Sequence, residues 1–360
     1  MQRKFKWNNI EIIKNYFKTL SKYDEDSIID SINLSDMILF SILKIYETSE
    51  IQSYKKSLEF DKTFMDQNTS DFEKNKIEDF IKMALDKKVR FTKPVYDFDE
   101  TKMLGSTFSF LSTVDNIAEK ELSDAIFDKR LYIRNGKLLR NYTGTTYSIS
   151  YNPYYEILQY SNGNSSLTLT HEIMHGYINK LTDRKFYKDG PRLYIELVSL
   201  LSEIYQNDYL YKNQIISFEE YVTNTNDTLL ANVTEEIEII DLLFKLSKLE
   251  NVPEKNEIDN LIKKYAIKNP NYNFTIKKLT CRPLESLLAY LYSFMIAVGI
   301  YENNKDNSKE GIKTAIQIMK DVDFDSEKDL LCYYGINVNE SYSKFVDENN
   351  LLVEKTKGSI

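Results

Sequence analysis

The sequence predicts a mainly α-helical fold with one small β-sheet beside a central helix. Three observations carry that expectation. No proline occurs before Pro94, and apolar residues in that stretch recur three and four apart. Residues 131–151 switch to β-branched and aromatic residues around an Asn-Gly pair. From Ser165 onward helical periodicity returns, broken only at Asp189-Gly190-Pro191, Pro253, Pro270 and Pro283.

In chain order, Ile10, Ile13, Tyr16 and Phe17 fall at helical spacing, as do Leu39, Ile42, Leu43 and Tyr46, then Ile77, Phe80, Ile81 and Leu85. They predict three or four amphipathic helices forming an N-terminal lobe over residues 1–100, in which no chemistry is visible. The stretch Phe91–Lys102, with Pro94 and alternating acidic and aromatic residues, marks the boundary with a second domain, residues 101–360. A helix is expected from about Gly105 to Lys129. Asn135-Gly136 lies between β-prone runs and signals a hairpin. Thr143–Tyr151 reads as a further strand. Leu287–Tyr301 is the longest apolar run; at fifteen residues it is shorter than the roughly 20 that span a bilayer, which predicts a buried core helix.

Composition excludes several classes. With 360 residues, 42% of them hydrophobic and 28% charged, the chain has the make-up of a globular protein. The net charge is −8 and no Lys/Arg block stands clear of acidic neighbours, so a nucleic-acid partner is not expected. Two cysteines, Cys281 and Cys332, exclude a disulfide scaffold and a four-cysteine zinc site. The N-terminus has basic residues but no apolar segment behind them, so the expected location is the cytoplasm, with no membrane association.

The chain has two histidines, and they stand four apart in Thr170-His-Glu-Ile-Met-His-Gly176. On a helix, residues i and i+4 share a face, so two imidazoles can bind one zinc. Glu172 between them is placed to take a proton from metal-activated water. Two histidines scattered at random over this length meet that spacing, with Glu next, only about 4 times in 10,000, which decides for the metal reading. Asn164-Ser165-Ser166 supplies capping residues for the helix.

A catalytic zinc takes three protein ligands and leaves one position open. The endopeptidase pattern with a third histidine would place it at Leu181, which excludes that branch. Asp183 lies about 12 Å along a continuous helix from His175, too far to reach back. Asp189 falls in an apparent turn. Glu196, on a second helix starting near Pro191, is the better candidate, since packing across a short turn sets it opposite the histidines. Glu196, Ser199, Leu200 and Glu203 share one face of that helix. Glu203 is about 10 Å beyond Glu196 and cannot bind the same metal; it or Ser199 would accept the free N–H of a ligand histidine.

These residues resemble the thimet oligopeptidase and oligoendopeptidase F group of zinc metallopeptidases, whose motif couples H-E-x-G-H to a downstream E-x-x-S-x-x-x-E helix. Here the two parts are His171-Glu172-Ile-Met-His175 and Glu196-Leu-Val-Ser199-Leu-Leu-Ser-Glu203. Tyr147-Ser-Ile-Ser-Tyr-Asn152 and Leu167-Thr-Leu-Thr-His171 are similar to the family's strand and its entry into the metal helix. Tyr290-Leu-Tyr292-Ser-Phe294 is similar to its aromatic helix. The likeness covers roughly residues 105–305.

Several positions depart from the family. Its Gly within the motif is Met174 here, and a further histidine on the same helix is Ile178. Its late histidine, which stabilises the tetrahedral intermediate, has no counterpart. Donors to the oxyanion must then come from Tyr290, Tyr292 or Arg282. The chain is also shorter than typical members on its N-terminal side. The resemblance implies a helical zinc-metallopeptidase (gluzincin-like) fold, with one Zn2+ per chain held by His171, His175 and Glu196. It implies a metalloendopeptidase or oligopeptidase that hydrolyses peptide substrates with Glu172 as general base. Two alternatives stand beside it: a specialised processing peptidase for one dedicated precursor, and a non-catalytic, zinc-retaining peptide-binding relative.

Overall fold

The computed structural model describes residues 71–90, 100–135, 144–147, 152–159, 165–182, 192–247, 260, 284–322 and 330–357. The helices expected around residues 10–46 lie outside them. Helix α1 (Asp71–Asp86) buries Ile77, Phe80 and Ile81, with Leu85 partly covered, as the spacing requires. These residues join the same core as the rest of the chain, with the Phe80 ring edge-on to Tyr342 at 4.9 Å.

The single helix expected over 105–129 is two, α2 (Glu100–Val114) and α3 (Asn116–Phe127). Asp115 separates them. Its backbone is extended (φ −162°, ψ 144°) and its carboxylate accepts a hydrogen bond from the Ile117 N–H at 2.7 Å, an N-cap that competes with helix continuation.

The sheet has three strands, β1 (Leu131–Asn135), β2 (Gly144–Tyr147) and β3 (Tyr154–Gln159), in the order β1-β3-β2. β3 runs parallel to β1 and antiparallel to β2. Strand β1 thus lies beside β3 rather than β2, and the Lys137–Leu139 arm of the expected hairpin falls outside the described residues. β2 lies within the expected strand region. The sequence gives no signal for β3, because the run after Pro153 is short and lacks alternation.

Helix α4 (Ser165–Leu181) crosses this sheet and is buried from Ser165 to Asn179. Ser166 on its buried face is paired: its Oγ lies 2.9 Å from Ser106 Oγ and accepts from Gln206 Nε2 at 2.8 Å. At Gly176 the sheet approaches closely, since a Cβ there would overlap the Tyr155 hydroxyl. That hydroxyl cannot easily retreat. It donates to Glu121 Oε1 at 2.6 Å, where Arg130 Nη1 also donates at 2.9 Å, and Lys180 pairs with the other carboxylate oxygen. Gly176→Ala is expected to lose about 2 kcal/mol in urea unfolding, since overlap and a strained Tyr155–Glu121 bond outweigh the ~1 kcal/mol alanine gains in a helix. A variant more stable than the parent would contradict this packing.

Helix α5 (Leu197–Lys212) packs on α4 and follows a 3-10 turn, Arg192–Tyr194. Helix α6 (Phe218–Asn224), capped by Ser217 and Glu220, runs through a π-helical turn (Thr225–Leu230) into α7 (Ala231–Ser247). Within the turn, Asn226 Nδ2 donates to Val222 O at 2.9 Å and Asn226 accepts from Asn349, side-chain bonds of a kind that bend a helix. Helix α8 (Leu284–Asn303) contains the long apolar run. Nearly all of it is buried, which makes it the core helix the sequence predicts. Helices α9 (Ser308–Asp321), α10 (Leu330–Tyr333) and α11 (Val338–Lys357) complete the described chain. Among the described residues, no helix is long and apolar enough to cross a membrane.

Candidate metal centre

Placement at i and i+4 on α4 sets His171 and His175 together, their Nε2 atoms 3.2 Å apart. Glu196 meets them from across the core. Its Oε2 lies 3.0 Å from His171 Nε2 and 3.1 Å from His175 Nε2. Three potential ligand atoms thus form a nearly equilateral triangle. A tetrahedral zinc site with arms near 2.05 Å has edges of about 3.3 Å, so the donor set and its spacing both fit such an ion.

Glu196 does not sit within the second helix, as its spacing suggests, but at the residue before it. Its carbonyl accepts the first helical bond of α5 from Leu200 N at 2.9 Å. Its side chain makes no cap bond and turns to the histidines instead. The turn that delivers it is fastened to α8: Ser293 Oγ, fully buried, donates to Leu193 O at 2.9 Å, and Tyr194 packs edge-on to Tyr292 at 5.3 Å.

Two turns along α5, Glu203 is buried and accepts from His171 Nδ1 at 2.5 Å. That bond fixes the tautomer and leaves Nε2 of His171 facing the triangle. Ser199 is buried on the same helix. Charge follows this arrangement. Burial alone would lower the His171 pKa, but the Glu203 and Glu196 carboxylates hold it well above the usual histidine value. Burial would raise Glu196, yet His175 and His171 hold it well below the ordinary carboxylate value. Burial raises the Glu203 pKa, and the histidine only partly offsets it. The site is a desolvated cluster with excess carboxylate, a donor set suited to a divalent cation.

Glu172, the residue after His171, is buried on α4, and β2 lies against that helix. Thr146 Oγ1 on that strand is 2.5 Å from Glu172 Oε2. Tyr290 on α8 is half-buried with its ring centroid 6.4 Å from that of His171, the planes inclined by 24°. Tyr292, two residues on, is turned about 200° round the helix. It is buried and receives a hydrogen bond from the Tyr194 hydroxyl at 3.5 Å. Asp183, Asp189 and Arg282 lie outside the described residues. Thr146 and Gly144 lie against Glu172, and Ser293 fastens the turn that leads to Glu196, none of them within a motif of its own. Only the period-2 pairing of Gly144 with Thr146 could have drawn attention to them.

No protein-family model and no curated protein matches the sequence. Solved structures do match in three dimensions. One is assigned as an oligoendopeptidase F from Bacillus anthracis str. Ames: TM-score 0.52, 12% identity, with 96% of this chain and 64% of that one covered. A PZ peptidase A with an inhibitor gives TM-score 0.57 at 10% identity over 88% of this chain and 68% of that one. Another protein assigned as oligoendopeptidase F gives TM-score 0.54 at 10% identity over 96% and 66%. The chain therefore spans about two thirds of the length of these peptidases, 64% in the Bacillus anthracis case. At these identities the likeness is one of architecture: this chain has the mainly helical fold, with its small sheet, that the oligoendopeptidase structures share.

Proposed function

We propose that this protein is a zinc-dependent peptidase that hydrolyses peptide bonds in oligopeptides, its catalytic unit within residues 101–360 and one zinc held by His171, His175 and Glu196. The observation that carries the reading is the triangle of Nε2, Nε2 and Oε2 atoms, formed on the same helix that carries Glu172 next to His171. When bound, zinc supplies Lewis-acid chemistry, polarising a scissile carbonyl and making water acidic enough to ionise near neutral pH. The chain's own groups do the rest. Glu203 holds His171 in the tautomer that presents Nε2. Glu172 takes the proton of the attacking water on its carboxylate and passes it to the leaving amine. The Tyr290 hydroxyl donates to the developing oxyanion, in place of a histidine that this chain lacks.

Tyr290→Phe is accordingly expected to lower kcat by roughly 10²-fold, measured on any peptide the parent cleaves. A greater loss in Tyr292→Phe than in Tyr290→Phe would overturn that assignment. The reading as a whole is tested by incubating the protein with a diverse peptide pool and sequencing products by mass spectrometry, with and without a zinc chelator. Chelator-sensitive cleavage at many sites supports a broad oligopeptidase, and cleavage of almost none of the pool supports the dedicated processing enzyme. Cleavage indifferent to the chelator contradicts zinc dependence.

A further inference from the structure

We propose that Thr146 is a positioning residue for the Glu172 carboxylate, an inference that rests on the peptidase reading above. Residues i and i+2 of a strand face the same side, so Gly144 and Thr146 both look from β2 onto α4. Thr146 Oγ1 shares its proton between Glu172 Oε2 at 2.5 Å and the Glu172 backbone oxygen at 3.1 Å. Gly144 deals with the other carboxylate oxygen by having no side chain, since a Cβ there would stand 2.9 Å from Glu172 Oε1 and 2.9 Å from its Cγ. One oxygen is tied and the other is left beside bare backbone. A glutamate with three rotatable bonds is thereby held to one orientation.

The strand that does this is itself held in register. Thr146 pairs with Tyr155 and Gly144 with Ile157 across the β2–β3 ladder. Tyr155 is fully buried, hydrogen-bonded to Glu121, and rests against Gly176 of α4. The same contact that fixes the sheet under the metal helix thus fixes where the Thr146 hydroxyl meets Glu172. A slip of one residue would turn Thr146 to the opposite face.

The test compares Thr146→Val, which keeps the shape and removes the hydroxyl, with Thr146→Ser, which keeps the hydroxyl. Three quantities are read: kcat and KM on a peptide the parent cleaves, bound zinc, and the Glu172 side-chain position in crystal structures of both variants. The expected result for Thr146→Val is a kcat lower by about 10–100-fold, KM and zinc unchanged, and a Glu172 carboxylate rotated away from its parental position. Thr146→Ser restores kcat and the parental orientation. Parental kcat with an unmoved Glu172 in Thr146→Val overturns the proposal, and so does an equal loss in both variants. If Thr146→Val does not fold, Thr146→Ala on the same strand is read in its place by the same criteria. Glu172→Gln separates the two levels of inference: if it cleaves as fast as the parent, the general-base reading fails, whereas the Glu172 orientation in the crystals still decides the role of Thr146.

Discussion

Glu172→Gln is expected to reduce kcat by roughly 10²–10⁴-fold while the protein keeps its zinc and its stability. The amide has the size of the carboxylate, and its carbonyl oxygen can still accept the Thr146 hydrogen bond that Glu172 Oε2 accepts. Basicity is what it loses. Glu172 is not among the atoms of the ligand triangle, so metal content and KM should stay near parental values. Steady-state kinetics on a cleaved peptide, with metal analysis of the same preparation, checks the expectation. Loss of zinc together with activity would make Glu172 a structural group. Undiminished kcat would leave the metal centre without its proposed base and favour the non-catalytic alternative.

The second large effect separates a ligand from the residue that orients one. Glu196→Ala removes one of three donor atoms. If zinc in a four-donor site is bound by about 10–16 kcal/mol, one donor's share is about 2.5–4 kcal/mol, a loss of roughly a hundredfold to a thousandfold in affinity. Glu203→Gln leaves the triangle intact and can still accept from His171 Nδ1, but without charge, so about a tenfold loss is expected. Competition titration against a chromophoric chelator measures both. Equal losses would contradict the division of roles, and a larger loss at Glu203 would reverse it.

The parts of the centre legible in the sequence were those governed by helical spacing. The i, i+4 histidines determine one face of α4. The seven-residue gap between Glu196 and Glu203 sets the first against His171 Nε2 and the second against His171 Nδ1. What periodicity does not register is a local competitor or a distant partner. Asp115 sits inside a helical run, yet its side chain accepts from the Ile117 N–H and caps a new helix there. Glu196 has helical spacing to Ser199, Leu200 and Glu203, yet helix α5 begins one residue after it, because the preceding turn is held by Ser293 and Tyr292 from about a hundred residues away in the chain. Strand β1 takes β3 as its partner through a pairing that no local pattern encodes. The Thr146 contact depends on that same sheet, so no local pattern encodes it either.

Everything proposed for this chain requires one metal ion among His171, His175 and Glu196. Plasma mass spectrometry of the purified chain, with His175→Ala prepared alongside, tests it most directly. About one zinc per chain in the parent, lost in the variant, is the expected result. No zinc in either protein, even after zinc is added back, would contradict it and leave a helical protein whose paired histidines and glutamate hold only one another.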